Sequence, residues 1–191
     1  MVISVVNKKG GVGKTPISFS LAKDLGYYLQ SNDNSVIESI YPDMAKISNS
    51  PDLIDDCIYD FGGFVDAGVI DVIRASAAVL IPCAIDYNSI MRTVETIEEM
   101  QQYNSNIIIL VTKTEKDSDF ANVKEAIANH FDDLEFLELR LSKVFRNSIE
   151  SGLSVTELYN DNPLSKNAYK TVYRQYLTLL ELFNNTIKAG E

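Results

Sequence analysis

The run Lys8-Lys9-Gly10-Gly11-Val12-Gly13-Lys14-Thr15 has the residue types and spacing of a turn built to hold a polyanion. Its glycines let backbone N–H groups converge on phosphate oxygens without Cβ clashes. The turn stands between an apolar, strand-like stretch, Val2–Asn7, and a helical pattern, so its last residues open a helix whose N-terminus favours anions. Lys14 would neutralise the β- and γ-phosphates of a nucleotide, and the Thr15 hydroxyl would ligate magnesium. Gly10, Gly11, Val12, Gly13, Lys14, Thr15 and Pro16 are therefore candidate cofactor-binding residues, with ATP or ADP and Mg2+ as the expected cofactors. Pro16 falls in the first helical turn, where proline is tolerated but removes one N–H that could face phosphate.

Asp60 is the second candidate. It ends the apolar run Cys57-Ile58-Tyr59 and is followed by Gly62 and Gly63, which permit a close-approaching switch turn. A carboxylate at a strand end beside a phosphate loop can hold magnesium directly or through water, so Thr15 and Asp60 form the candidate metal pair.

Stepping outward, the chain alternates strands with helices. Strands are expected at Val2–Asn7, Ser35–Tyr41, Cys57–Asp60, Ala77–Pro82, Ile107–Val111 and Leu134–Leu137. Helices are expected from the turn to about Leu29, over Ala67–Arg74, Ser89–Tyr103, Phe120–Phe131 and Lys143–Ser151, and from Lys166 to Ile187. In the first helix Ile17, Leu21, Ala22, Leu25 and Leu29 recur at helical intervals. Ser48–Asp55 reads as a connection with room for one helical turn. The fold class is α/β, with a mainly parallel central sheet and helices on both faces. Residues 1–191 carry no repeat or linker and read as one domain.

Composition narrows the function. The 46% hydrophobic and 23% charged content is that of a globular protein. Cys57 and Cys83 lack metal-ligand spacing and read as buried thiols. No secretory signal or membrane span fits, so a cytoplasmic protein without a membrane partner is expected. The lone His130 reads as a cap or surface residue, and Asp55-Asp56, Asp132-Asp133 and Glu98-Glu99 as solvated acids. A net charge of −10 argues against DNA coating by the whole surface. Residues 1–139 hold 10 Lys/Arg against 22 Asp/Glu, whereas residues 140–191 hold 7 against 5. The candidate DNA-binding residues are therefore C-terminal: Lys143, Arg146, Lys166, Lys170 and Arg174. The last three recur every four residues on one helix face. Tyr169, Tyr173 and Tyr176 recur on the same helix and read as a face packed on the sheet.

Asn7-Lys8-Lys9-Gly10-Gly11-Val12-Gly13-Lys14-Thr15 resembles the deviant phosphate loop of the ParA/MinD family of P-loop ATPases. Ile58–Gly63, Val79–Pro82 with Asp86-Tyr87, Leu110–Lys113, and Phe145–Ser148 with Ser151–Val155 resemble later stretches of that family in the same order, closest to its small partition members. The resemblance implies a three-layer P-loop NTPase fold and an ATP-sandwiched homodimer in which Lys9 reaches the partner's nucleotide. It makes Lys9, Lys14 and Asp60 the candidate catalytic residues and puts Thr112 and Lys113 at the border of the adenine. It also implies a ParB-like or other adaptor and nonspecific DNA as partners. In active members the second strand ends in Asp-x-Asp-Pro. The matching stretch is expected at Ser39-Ile40-Tyr41-Pro42, with both acids missing and hydrolysis slow. A non-hydrolysing nucleotide switch and an interaction protein retaining only the fold stay open as alternatives.

Overall fold

The computed structural model describes residues 1–62 and 67–189. Gly63, one of the two switch-turn glycines, lies outside them. In chain order the elements are β1 Val2–Val6, α1 Lys14–Leu25, β2 Tyr28–Ser31, α2 Ile37–Ile40, β3 Ala45–Ile47 and β4 Cys57–Phe61. They continue with α3 Ala67–Ala75, β5 Ala78–Ala84, α4 Tyr87–Met100, β6 Ile107–Thr114, α5 Asp117–Ala128 and β7 Glu135–Arg140. The chain closes with α6 Val144–Ser151, α7 Val155–Asn160 and α8 Pro163–Ala189. The strands form one sheet in the order β3-β2-β4-β1-β5-β6-β7, and every pairing in it is parallel.

Both faces are covered, which explains the near-continuous apolar strands. Alternate residues serve opposite layers. Ile3, Val5, Leu29, Ile58, Ile108 and Leu110 pack beneath α1, α6, α7 and α8. Val2, Val6, Tyr59, Phe61, Ile109 and Val111 pack beneath α3, α4 and α5. The three-layer α/β arrangement is thus the one the alternation predicts. The tyrosine face of α8 also packs inward, with Tyr176 fully buried. Its hydroxyl donates to Asp24 of α1, as does that of Thr156 of α7, while Lys23 pairs with Glu157.

Two linked expectations fail, and they bear on the site. The first helix stops at Leu25 rather than Leu29, because Gly26 takes the left-handed conformation (φ 70°). The Tyr27 N–H then donates back to Ala22, closing a Schellman-type cap. The second strand therefore runs over Tyr28–Ser31, and the stretch expected as that strand holds α2 instead. Leu29 keeps its burial but on a strand, so its four-residue spacing from Leu25 is coincidental to the helix. β3 and α7 are additional elements, and residues 48–55 contain no helical turn.

Candidate functional site

The phosphate-loop candidates surround a cleft of about 910 Å3 at the C-terminal ends of the strands. Its walls include Gly10 to Ile17, Asp33, Thr112, Lys113, and residues 139–143 with Phe145, Arg146, Ile149 and Glu150. This is where a parallel sheet places a ligand. Two glycines do what other residues could not: Gly11 has φ 79° and Gly13 has φ 97°, both left-handed. A Cβ on Gly13 would meet only the end of the Ile17 side chain at 3.4 Å, so it is the backbone conformation that calls for glycine there. The loop is anchored from behind by Asn7. Its buried amide donates to the Pro82 carbonyl of β5 and to Thr93 of α4, and its Oδ1 accepts the Lys9 N–H.

Gly13 caps α1, so Pro16 is the third helical residue. The first backbone bond of the helix runs from Ile17 N–H to the Gly13 carbonyl, and Pro16 breaks none. It removes one of the N–H groups left unpaired at a helix N-terminus, as expected from its position.

Lys14 is buried, with its ammonium donating to the Lys9 carbonyl at 3.3 Å. Burial lowers its pKa, and the charges of Asp60 and Asp33 oppose that shift. Asp60 is fully buried at the end of β4. Its Oδ2 accepts from Thr15 Oγ1 at 2.7 Å and from Ser31 Oγ at 3.3 Å, while Oδ1 has no hydrogen-bond partner. Burial raises the Asp60 pKa against the pull of Thr15 and Lys14. A buried carboxylate oxygen without a partner, next to a hydroxyl with free lone pairs, fits a hard cation such as Mg2+ that takes its remaining ligands from phosphate and water. Among the described residues no group of three or more His, Cys, Asp or Glu side chains could hold a metal by itself.

The second strand ends at this same point. Ser31 pairs in register with Asp60, and its hydroxyl bonds both the Asp60 carbonyl and carboxylate. Asp33 follows two residues later on the cleft wall, packed against Gly62. The end of the second strand, where the resemblance implies an Asp-x-Asp-Pro stretch, is therefore Ser31-Asn32-Asp33-Asn34 rather than Ser39-Ile40-Tyr41-Pro42, and it carries an acid at Asp33. Ser39 and Tyr41 are not part of the site. Ser39 donates to the Val36 carbonyl within α2, and Tyr41 packs edge-on against Phe19 with its hydroxyl on Tyr27. Reading Gly26 as a helix stop would have placed Asp33 at a strand end from sequence.

The remaining candidates divide. Thr112 and Lys113 line the cleft, but their polar atoms bond the loop: Thr112 Oγ1 donates to the Val12 carbonyl at 3.0 Å and Lys113 Nζ to that of Gly11 at 2.6 Å. Lys9 lines a second, smaller cavity of about 440 Å3 with Asp86, Ser89, Lys113 and Glu115. Ser89 holds the Asp86 carboxyl below its usual range, and the nearby Lys9 charge adds to this. The expected basic patch is split. Lys143 and Arg146 stand on the cleft wall, with Arg146 paired to Glu150 at 2.7 Å, whereas Lys166, Lys170 and Arg174 are exposed along α8. His130 is exposed, with its ring tilted 46° to that of Phe131, and lines neither cavity. Among the described residues no helix is long and apolar enough to cross a membrane.

Residues 3–155 match the family model of the CobQ/CobB/MinD/ParA nucleotide binding domain (CbiA). No curated protein sequence gave a significant match. Several solved structures share the fold at low identity. MinD from Pyrococcus horikoshii in complex with Mg-ADP has a TM-score of 0.62 at 10% identity, over 97% of this chain and 98% of its own. A putative plasmid partition protein from Borrelia burgdorferi bound to AMPPNP has 0.59 at 15%, over 96% and 99%. An ATP complex of a Cyanothece McdA variant has 0.58 at 14%, over 91% and 95%.

Proposed function

Because the chain belongs to the CobQ/CobB/MinD/ParA family of nucleotide binding domains, we propose that it is a ParA-type switch that binds ATP with Mg2+ and dimerises around it. The dimer would then engage DNA or a ParB-like or other adaptor protein. The observation that carries this reading is the joined geometry of Thr15 and Asp60 at the head of the glycine turn, with the unpartnered Asp60 Oδ1 beside it. The turn's N–H groups and Lys14 bind the phosphates, and Thr15 and Asp60 hold the cation. Magnesium, when bound, neutralises phosphate charge and orients the terminal phosphoryl group.

Hydrolysis is expected to be slow. Of the two acids that end the second strand in active relatives, this chain keeps only Asp33. Ser31 occupies the other position and donates to Asp60 rather than presenting a carboxylate. A hydroxyl in that role neither accepts a proton from water nor adds anionic charge. Asp33, on the cleft wall near Lys14, is an acid placed to orient water.

Lys9 is partly exposed beside the loop, consistent with a charge offered to a second copy. The exposed charges of Lys166, Lys170 and Arg174 favour a duplex surface that doubles on dimerisation. Sedimentation at several protein concentrations, with and without a slowly hydrolysed ATP analogue and Mg2+, tests the reading. The analogue should drive dimers, Lys9→Ala should impair dimerisation more than nucleotide uptake, and the loaded dimer should bind duplex DNA in a salt-sensitive way. A chain that stays monomeric with its site saturated defeats the sandwich model, and absence of DNA binding at low salt leaves protein adaptors as the output.

A further inference from the structure

Lys113 is an irregularity in an otherwise regular strand. In the pairing of β6 with β7, Thr112 faces Leu139 and Thr114 faces Arg140, so Lys113 is an extra residue opposite no partner. Its φ is 62°, left-handed and strained for a residue with a long side chain. A bulge of this kind re-aims a side chain. Here it brings the ammonium to the Gly11 carbonyl, while the preceding Thr112 hydroxyl holds the Val12 carbonyl. Two adjacent residues of one strand thus grip two adjacent carbonyls of the phosphate loop.

The consequence follows from peptide planarity. In a trans peptide the C=O and the following N–H point in opposite directions. Fixing the Gly11 carbonyl fixes the Val12 N–H, and fixing the Val12 carbonyl fixes the Gly13 N–H, each turned away from β6. We infer that Thr112 and Lys113 are positioning residues of the phosphate site: the β6 bulge clamps the Gly11 and Val12 carbonyls so that the N–H groups of Val12 and Gly13 are preset to receive phosphate. A cation on the Gly11 carbonyl also polarises that peptide and makes its N–H a stronger donor. With Pro16 contributing no N–H, the cradle depends more heavily on the donors that remain. The inference rests on the nucleotide-binding reading above, but it moves these two residues from the base to the phosphates.

Tripolyphosphate separates the two roles, because it has phosphates and no base. Calorimetric titration of Mg-tripolyphosphate and of MgATP should be run on the native chain and on Lys113→Met, Lys113→Gly, Thr112→Val and Thr112→Ser, with thermal melting of each. Lys113→Met and Thr112→Val should weaken both ligands by a similar factor, about tenfold. Thr112→Ser, which keeps the hydroxyl, should bind as the native chain does. Lys113→Gly relieves the backbone strain, so it should melt at or above the native temperature and still lose the same affinity. That divergence is one a merely structural lysine would not give. Loss of ATP affinity with tripolyphosphate unchanged would overturn the clamp and return both residues to the base. Unchanged binding of both ligands in Lys113→Gly and Thr112→Val would overturn it as well. A native chain that binds neither ligand would instead reject the nucleotide-binding reading, and the clamp with it.

Discussion

Ser31 ends β2 and Asp60 is the next-to-last residue of β4; they sit side by side, paired in register, with different chemistry. Asp60 presents a buried carboxylate with one oxygen unpartnered; Ser31 presents a hydroxyl whose bonds go to its neighbours in the protein. On the proposed reading the β4 side would take the cation and the polyphosphate, and the loop, Lys14, Thr15 and Asp60 converge there. On the β2 side, where water would be oriented, the strand end carries Asp33 as its acid. On that reading affinity and turnover would draw mainly on different strand ends, joined by the Ser31–Asp60 bonds.

The largest effect is expected on the β4 side. Lys14→Ala removes a buried ammonium from the cradle and should lower MgATP affinity by about a hundredfold or more, measured by calorimetry. Affinity within a few-fold of native would mean that the backbone donors suffice without the Lys14 charge.

Ser31→Asp acts on the other side. It should raise phosphate release at saturating MgATP by about tenfold while leaving nucleotide affinity nearly unchanged. The added carboxylate would lie beside Asp60, so the metal-free protein should melt lower and recover with Mg2+ and nucleotide. No gain in turnover in a folded, ATP-binding variant would show that the missing acid is not what limits hydrolysis.

The smallest effect concerns protons. Burial raises the folded pKa of Asp60 above its unfolded value. The folded state therefore holds a proton that the unfolded state has already lost, and stability falls as pH rises from the ordinary carboxylate range through the raised value. Melting of the metal- and nucleotide-free protein over that window should show this decline, and Asp60→Asn should flatten it. An identical slope in the variant would assign the titration to another group.

The β4 side was legible in the sequence because its signals are local and mutually reinforcing: glycines, Lys14 and Thr15 at fixed offsets, then an acid closing an apolar strand. The β2 side was not. Tyr28-Leu29-Gln30-Ser31 offers one aliphatic residue in four, and the polar Gln30 and Ser31 are buried at 1% exposure each. Tertiary bonds meet that burial in part: Gln30 Oε1 accepts the Asp52 N–H and the Ser31 hydroxyl donates to Asp60, while Gln30 Nε2 has no partner, and no local pattern announces any of this. Leu29 also continued the helical spacing past Gly26, so the strand was placed several residues too late and the acid position with it. The Lys113 bulge was invisible for a similar reason: a continuous apolar run says nothing of the register of its neighbour.

The strand order has a further consequence, for how the molecule comes to exist. β1 lies at the centre of the sheet, yet its partners are distant in sequence: Val2 pairs with Cys57, and Ile3 with both Ile58 and Ala78. During synthesis Val2-Ile3-Ser4-Val5-Val6 leaves the ribosome with neither neighbour available. The sheet cannot close around it until the chain reaches β5. Such long-range parallel pairing makes folding slow, and it leaves the strand that launches the phosphate loop the one most exposed to aggregation on the way.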